Sequence, residues 1–329
     1  MKSGFDDGIS ISWLADGKRL SMRHGPIDLI LAAEGDPESI KKAYKQAAQA
    51  FQCVLTDLVT DLVTLRKPLT IPAPQFNGDV ARHMQRAAAS VAKDLFATPM
   101  IAVAGAVAEH ILAAMTCDTE LKRAYVNNGG DIALHLTHDA VFEVGICANV
   151  ETGSLGSMAR IHADDNIGGI ATSGWRGRSH SMGIADAVTV LAHSAATADA
   201  AATLIANNVN LPDHPRVSRV PADELSLDSD LGQRLVTVDV GHLLIEEIEL
   251  ALGRGKTIAD RLINSGDIYA AHASLQGETL SIGDHATRAR QLSQLQPQLE
   301  SQPRPDLQPH LEPRRKRHAD NLQTGVQPI

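Results

Sequence analysis

At 329 residues, with 43% hydrophobic but only 3% aromatic side chains, the chain can form one large domain or two around a core of Ala, Val, Leu and Ile. A formal charge of −9 argues against general nucleic-acid binding through a basic surface. Residues 285–329 hold seven Lys or Arg against four Asp or Glu, so the body before them carries −12.

Met1 to Asp7 has no apolar core of the kind a signal peptide needs. The most apolar run, Leu95 to Met115, is broken by Glu109 and His110, which leaves too short a charge-free stretch to span a bilayer. Cys53, Cys117 and Cys147 are odd in number and widely spaced, which fits reduced, mostly buried thiols. These features lead us to expect a cytoplasmic protein with no membrane span.

In chain order, residues 1–8 are expected to be flexible. A hairpin follows: Ile9 to Leu14 alternates, Ala15 to Lys18 supplies the turn, and strands continue over Leu20 to Arg23 and Ile27 to Ala32. Asp36-Pro37-Glu38-Ser39 opens a long helix to about Leu65, with Asp as N-cap and Pro at the first position. Pro68, Pro72 and Pro74 mark an ordered loop. A second helix runs from Asn77-Gly78-Asp79 to near Phe96, and Thr98-Pro99 opens a third that reaches about Met115. Short strands come next: Arg123 to Asn127, Ile132 to Leu136, Val141 to Ala148, Met158 to His162, Ile167 to Thr172 and Ala187 to Ala192. An alanine-rich helix covers Ser194 to Asn207. Two strands ending at Val240, a helix from Gly241 to Leu262 and a hairpin through Gly277 to Ile282 complete an α+β domain over 9–284. The tail 285–329, with six Pro, eight Gln and no aromatic residue, is expected to be disordered, its Arg314 to Arg317 run included.

Three places carry chemistry. Asp199 and Thr203 are four residues apart on one helix face, where a carboxylate and a hydroxyl suit a hard cation bridged to phosphate. Asn128-Gly129-Gly130-Asp131 reads either as a strand-to-strand turn or as a concavity of backbone N–H groups for phosphate or a flavin edge. The third is a glycine- and hydroxyl-rich loop from Gly168, through Thr172, Ser173 and Gly174, to His180. There, after Arg176 and Arg178, an imidazole is placed for acid–base work near neutral pH. His135-x-x-His138 is rejected as a chelate, because at strand spacing the two side chains point to opposite faces.

In order, these segments resemble the flavin transferases, the FAD:protein FMN transferases of the ApbE family. The resemblance rests on Ile101 to Ala108, Tyr125 to Ile132, Ile170-Ala171-Thr172-Ser173-Gly174, and Ala187 to Val190 followed by Ala198-Asp199 to Thr203. It covers roughly residues 95–210. It implies an ApbE-like fold with an internal pseudo-twofold and mixed sheets covered by helices. It also implies Mg²⁺ held by Asp199, Thr203 and the carbonyl of Ala104 beside the pyrophosphate of FAD. Gly129, Gly130, Asp131, Thr172, Ser173 and Gly174 would line the flavin cleft, and His180 falls near the family's histidine. The implied reaction passes FMN to a Thr or Ser of an acceptor protein and releases AMP. A non-catalytic flavin-binding accessory protein and an FAD pyrophosphatase are the rival readings. The chain departs from the family pattern at Ala104, where a lysine is usual, and after His180, where Ser181-Met182-Gly183 replaces an Asp-Pro.

Overall fold

The computed structural model describes residues 8–137, 139–149 and 154–283. Residues 1–7, His138 and the tail 285–329 lie outside the described residues, so the expectations placed on them are not taken further. A nine-stranded sheet is built from β1 (Ser10–Trp13), β2 (Leu20–His24), β3 (Ile27–Gly35), β4 (Leu121–Asn128), β5 (Asp131–Leu136), β8 (Gly169–Ser173), β9 (Ala187–Ala192), β12 (Ala270–Leu275) and β13 (Glu278–Ile282), neighbours in that order. β6 (Val141–Asn149) pairs with β7 (Ser154–His162), and β10 (Val217–Pro221) with β11 (Leu235–Val240), as two separate ribbons.

The helices are α1 (Pro37–Leu65), α2 (Asp79–Ala92), α3 (Val103–Thr116), α4 (Ala195–Asn208), α5 (Ala222–Leu225) and α6 (Ile245–Asn264). The apolar faces of α1, α2, α3, α4 and α6 share one core with Leu29, Leu31, Val126, Ala171, Val188 and Val190 from one face of the sheet. On the opposite face Leu134, Ile170 and Leu191 form a second core with Ile161 of β7, Phe142 and Val144 of β6 packing against it. Period-two alternation in β4, β8 and β9 is what separates the two cores.

Connectivity repeats. Two strands, a helical connection and two strands give β2–β3–β4–β5, and then β8–β9–β12–β13. The pseudo-twofold implied by the family resemblance is therefore present in the order of elements. The sheets, expected to be mixed, are antiparallel at every pairing among the described residues. Each helical connection re-enters the sheet from the end its preceding strand left, and this reverses the next strand. The two halves meet where β5 pairs with β8, through Ile132↔Ile170 and Ala133↔Gly169.

Local chemistry explains the element ends. Asp36 caps α1 by accepting from the N–H groups of Glu38 at 3.1 Å and Ser39 at 3.0 Å. α2 stops at Ala92, short of the expected Phe96, because Lys93 turns to φ 49°. α6 begins at Ile245 and not at Gly241: the Gly241 N–H is tied to the Arg216 carbonyl at 2.8 Å, while the Leu244 N–H donates to Glu247 at 2.7 Å to cap the helix. Cys53 and Cys117 are exposed, contrary to the expectation of buried thiols; one lies on the solvent side of α1 and the other just beyond α3. The stretch Pro99–Thr116 is apolar enough to span a membrane by length and composition, with a mean hydropathy of 1.5. Half of it is buried inside the fold, where α3 serves as a core helix.

Candidate functional site

The β4–β5 turn closes at the seam between the halves. Asn127 Oδ1 accepts from the Gly130 N–H at 2.9 Å, and Gly129 and Gly130 take φ values of 67° and 117°. Only glycine enters such a pair of conformations without strain. Gly129 has a second reason to lack a side chain: the Arg178 guanidinium lies where its Cβ would be. Asn128 and Asp131 face each other across the strand pair. Asn128 is buried and donates from Nδ2 to the carbonyl of Ala104 at 3.1 Å, which ties the turn to the start of α3.

α3 and α4 cross closely at their N-terminal ends. A Cβ on Gly105 would run into the carbonyl of Ala195. This approach brings Asp199 of α4 to the N-terminus of α3, where its Oδ2 accepts from the Gly105 N–H at 3.0 Å and the Ala104 N–H also favours the carboxylate. The pair Asp131 and Asp199, one from each half, is close enough for the charges to interact. Burial first, and then the charge of Asp131, raise Asp199 well above the ordinary carboxylate range. Burial also pushes Asp131 up to about 7, against the opposing pull of the Thr172 N–H at 3.2 Å and the positive charge of Arg178.

Thr172 and Ser173 part ways at this strand. Thr172 shares the face of Ile170, and its hydroxyl is engaged with that of buried Thr189 at 2.9 Å, so only its backbone serves the acidic pair. Ser173 alternates onto the face of Ala171 and the helices. Gly174 is buried against the carbonyl of Asp186, which leaves no room for a side chain. Thr203 is half-buried one turn along α4 from Asp199. His180 is half-buried in the connection between β8 and β9, two residues beyond Arg178. The Ala104 carbonyl lies in the first turn of α3 and accepts from Asn128 Nδ2.

Two contributors escape a motif-based reading. Arg178 is a loop cation with no sequence mark of its partner. Glu109, which only interrupts an apolar run in the sequence, is the hub of three helices: its Oε2 receives His83 Nε2 of α2 at 2.6 Å, the Ser194 hydroxyl at 3.2 Å and the Ala196 N–H at 3.1 Å. The sequence signal that could have found it is a lone glutamate inside an otherwise apolar helical run. A cavity of about 520 Å³ lies elsewhere, between β3, β4 and the β6–β7 ribbon, and its arginines Arg123 and Arg160 are already paired with Glu34 and Glu143.

The chain matches the family model described as AbpE bacteria over residues 11–281. The UPF0280 protein of Methanocaldococcus jannaschii is 41% identical over 110 residues, which cover 33% of this chain and 43% of that protein. The UPF0280 protein of Methanosarcina acetivorans is 33% identical over 186 residues, covering 56% of this chain and 70% of that protein. The chain spans less than half the length of the first curated relatives it matches. Among solved structures, the apo flavinyl transferase ApbE of Pseudomonas stutzeri aligns with a TM-score of 0.39 at 10% identity, covering 88% of this chain and 98% of that one. The ApbE protein of Thermotoga maritima aligns with a TM-score of 0.40 at 10% identity, covering 86% and 99%.

Proposed function

This chain belongs to the family described as AbpE bacteria, and we propose that it is a Mg²⁺-assisted enzyme acting on the pyrophosphate of FAD. The observation that carries the reading is the Asp131–Asp199 pair, two buried acidic side chains from separate halves, both raised by burial, with the charge of Asp131 raising Asp199 further. Like charges gathered at one place are relieved by a proton or by a cation. The donor set fits a hard cation: carboxylate, hydroxyl and carbonyl oxygens, few enough to leave positions for phosphate. Asp199, Thr203 and the Ala104 carbonyl would hold Mg²⁺, with Asp131 beside them. Bound there, the ion would supply charge neutralisation at the pyrophosphate.

The rest is assigned to the chain's own groups. The Gly129–Gly130 turn, by its Gly129 N–H, and the strand end Thr172-Ser173-Gly174 receive the flavin nucleotide. A Thr or Ser hydroxyl of an acceptor protein attacks the phosphorus on the FMN side. An oxygen–phosphorus bond forms there, the bond to the AMP oxygen breaks, and AMP leaves. His180 takes the hydroxyl proton. One observation favours a second reading, a flavin-nucleotide-binding accessory protein without catalysis: Asp199 already has a structural role at the N-terminus of α3.

Incubating the protein with FAD, Mg²⁺ and a Thr-bearing acceptor peptide separates the possibilities. Transfer gives equal amounts of AMP and flavinylated peptide. AMP and FMN without a peptide adduct indicate pyrophosphate hydrolysis. FAD binding without AMP, across several acceptors, leaves the accessory reading.

A further inference from the structure

We infer that Arg178 is the residue that makes this site prefer ligands with phosphate, by moving its charge from Asp131 to the ligand. The inference rests on the flavin-nucleotide reading for the identity of the ligand, but not for the role of the residue. Two arginines lie in the connection between β8 and β9, and they are built differently. Arg176 is committed: its Nε pairs with buried Asp186 at 2.8 Å, and its guanidinium sits 4.5 Å from the centre of the Trp175 ring. Arg178 is exposed and makes no direct ion pair among the described residues. Its guanidinium rests on Gly129, in the space that only a glycine leaves, and its charge acts on Asp131.

The connection that carries it is pinned at both ends. The Trp175 N–H donates to the Ala185 carbonyl at 3.0 Å, and the Met182 N–H to Asn207 Oδ1 at 2.9 Å. Between these anchors Arg178 and Ser179 are exposed. A cation is thus delivered by a fixed frame to the Gly129 turn. With no divalent cation bound, the charge of Arg178 acts on Asp131. Once a divalent cation neutralises the pair, the guanidinium is free to engage an anion at the same turn, and its planar fork matches phosphate oxygens.

The test compares ligands that differ only in phosphate. Dissociation constants for riboflavin, FMN and FAD are measured by calorimetry with Mg²⁺ for the wild type, Arg178→Gln and Arg178→Lys. The expected result for Arg178→Gln is a loss of about 10–100-fold in FAD affinity, with riboflavin unchanged, since a charge-assisted contact has that value. Arg178→Lys should recover part of the loss. An equal loss for riboflavin and FAD would show a merely structural role and overturn the proposal, as would undiminished FAD affinity. If the wild type binds no flavin at all, the flavin reading fails by itself. Inorganic pyrophosphate with Mg²⁺ then decides about Arg178: weaker binding in Arg178→Gln sustains the inference, and equal or absent binding in both proteins ends it.

Discussion

A carboxyl group enclosed by protein keeps its proton to higher pH than it would in water, and burial displaces Asp131 from 3.8 to about 7. The sign of the consequence is opposite to that of a salt-bridged aspartate. Over the interval from 3.8 to about 7 the folded chain binds more protons at this position than the unfolded chain does, so stability falls as pH rises through that window and levels off above it. Asp131→Asn should remove this slope and stabilise the protein at pH 8 by on the order of 1–2 kcal/mol, after discounting for solvent at the cleft. Thermal midpoints of both proteins across pH 4–8 measure it. Adding Mg²⁺ at pH 8 should raise the wild-type midpoint and leave that of Asp131→Asn nearly unmoved, because only the intact pair gains by binding the ion. At His180 the expectation is kinetic. His180→Ala should slow AMP release by about 10²–10⁴-fold if the imidazole accepts the hydroxyl proton, with FAD affinity intact. A variant of normal rate would remove His180 from the proton path.

At the scale of elements, the site depends on how α4 is started. Ser194 caps it by accepting from the Thr197 N–H at 3.2 Å, and Glu109 holds the same turn from α3 while accepting from His83 of α2. Burial alone would raise the proton affinity of Glu109, but the His83, Ala196 and Ser194 contacts outweigh it and hold its pKa below the usual 4.5. That contribution is therefore complete above the ordinary value and lost as pH falls through the lowered one. Glu109→Gln should cost about 1–3 kcal/mol near neutral pH, less in acid, and should speed hydrogen exchange at the first amides of α4. Gly253 provides a contrast, since a Cβ there would meet nothing. Gly253→Ala in α6 should add about 0.5–1 kcal/mol of stability with no effect on the site, read from denaturant midpoints. Much at this scale was legible in the sequence, because caps and turns act locally: Asp36-Pro37 and Thr98-Pro99 announce their helices, and Asn128-Gly129-Gly130-Asp131 announces its turn. The start of α6 was not legible. It is set by the Arg216 carbonyl, which the pairing of β10 with β11 brings to Gly241.

For the molecule as a whole, the proposed site draws on two similar halves joined at a short seam. Asp131, Asn128 and Gly129 come from the first half, and Thr172, Arg178 and Asp199 from the second, with β5 and β8 paired at the seam between them. The sequence pointed to most of these residues individually. It could not indicate that the charge of Asp131 acts on Asp199 or that Glu109 anchors α4, because both depend on contacts between the halves, nor that the Thr172 hydroxyl is engaged by Thr189 of the neighbouring strand. One of those contacts between the halves is Gly105 against Ala195, where α3 and α4 cross with no space for a methyl group. Gly105→Ala should force the two N-termini apart, at a cost of about 1–3 kcal/mol for overpacking. Its larger effect should be on the site, since the Gly105 N–H that holds Asp199 moves with the helix. Mg²⁺-dependent stabilisation and FAD affinity should therefore fall together in this variant, while the isolated stability loss stays small enough for the protein to remain folded at 25 °C. Calorimetry on Gly105→Ala beside Gly253→Ala distinguishes the two effects. If Gly105→Ala keeps wild-type metal and nucleotide binding, the crossing of α3 and α4 does not position the acidic pair.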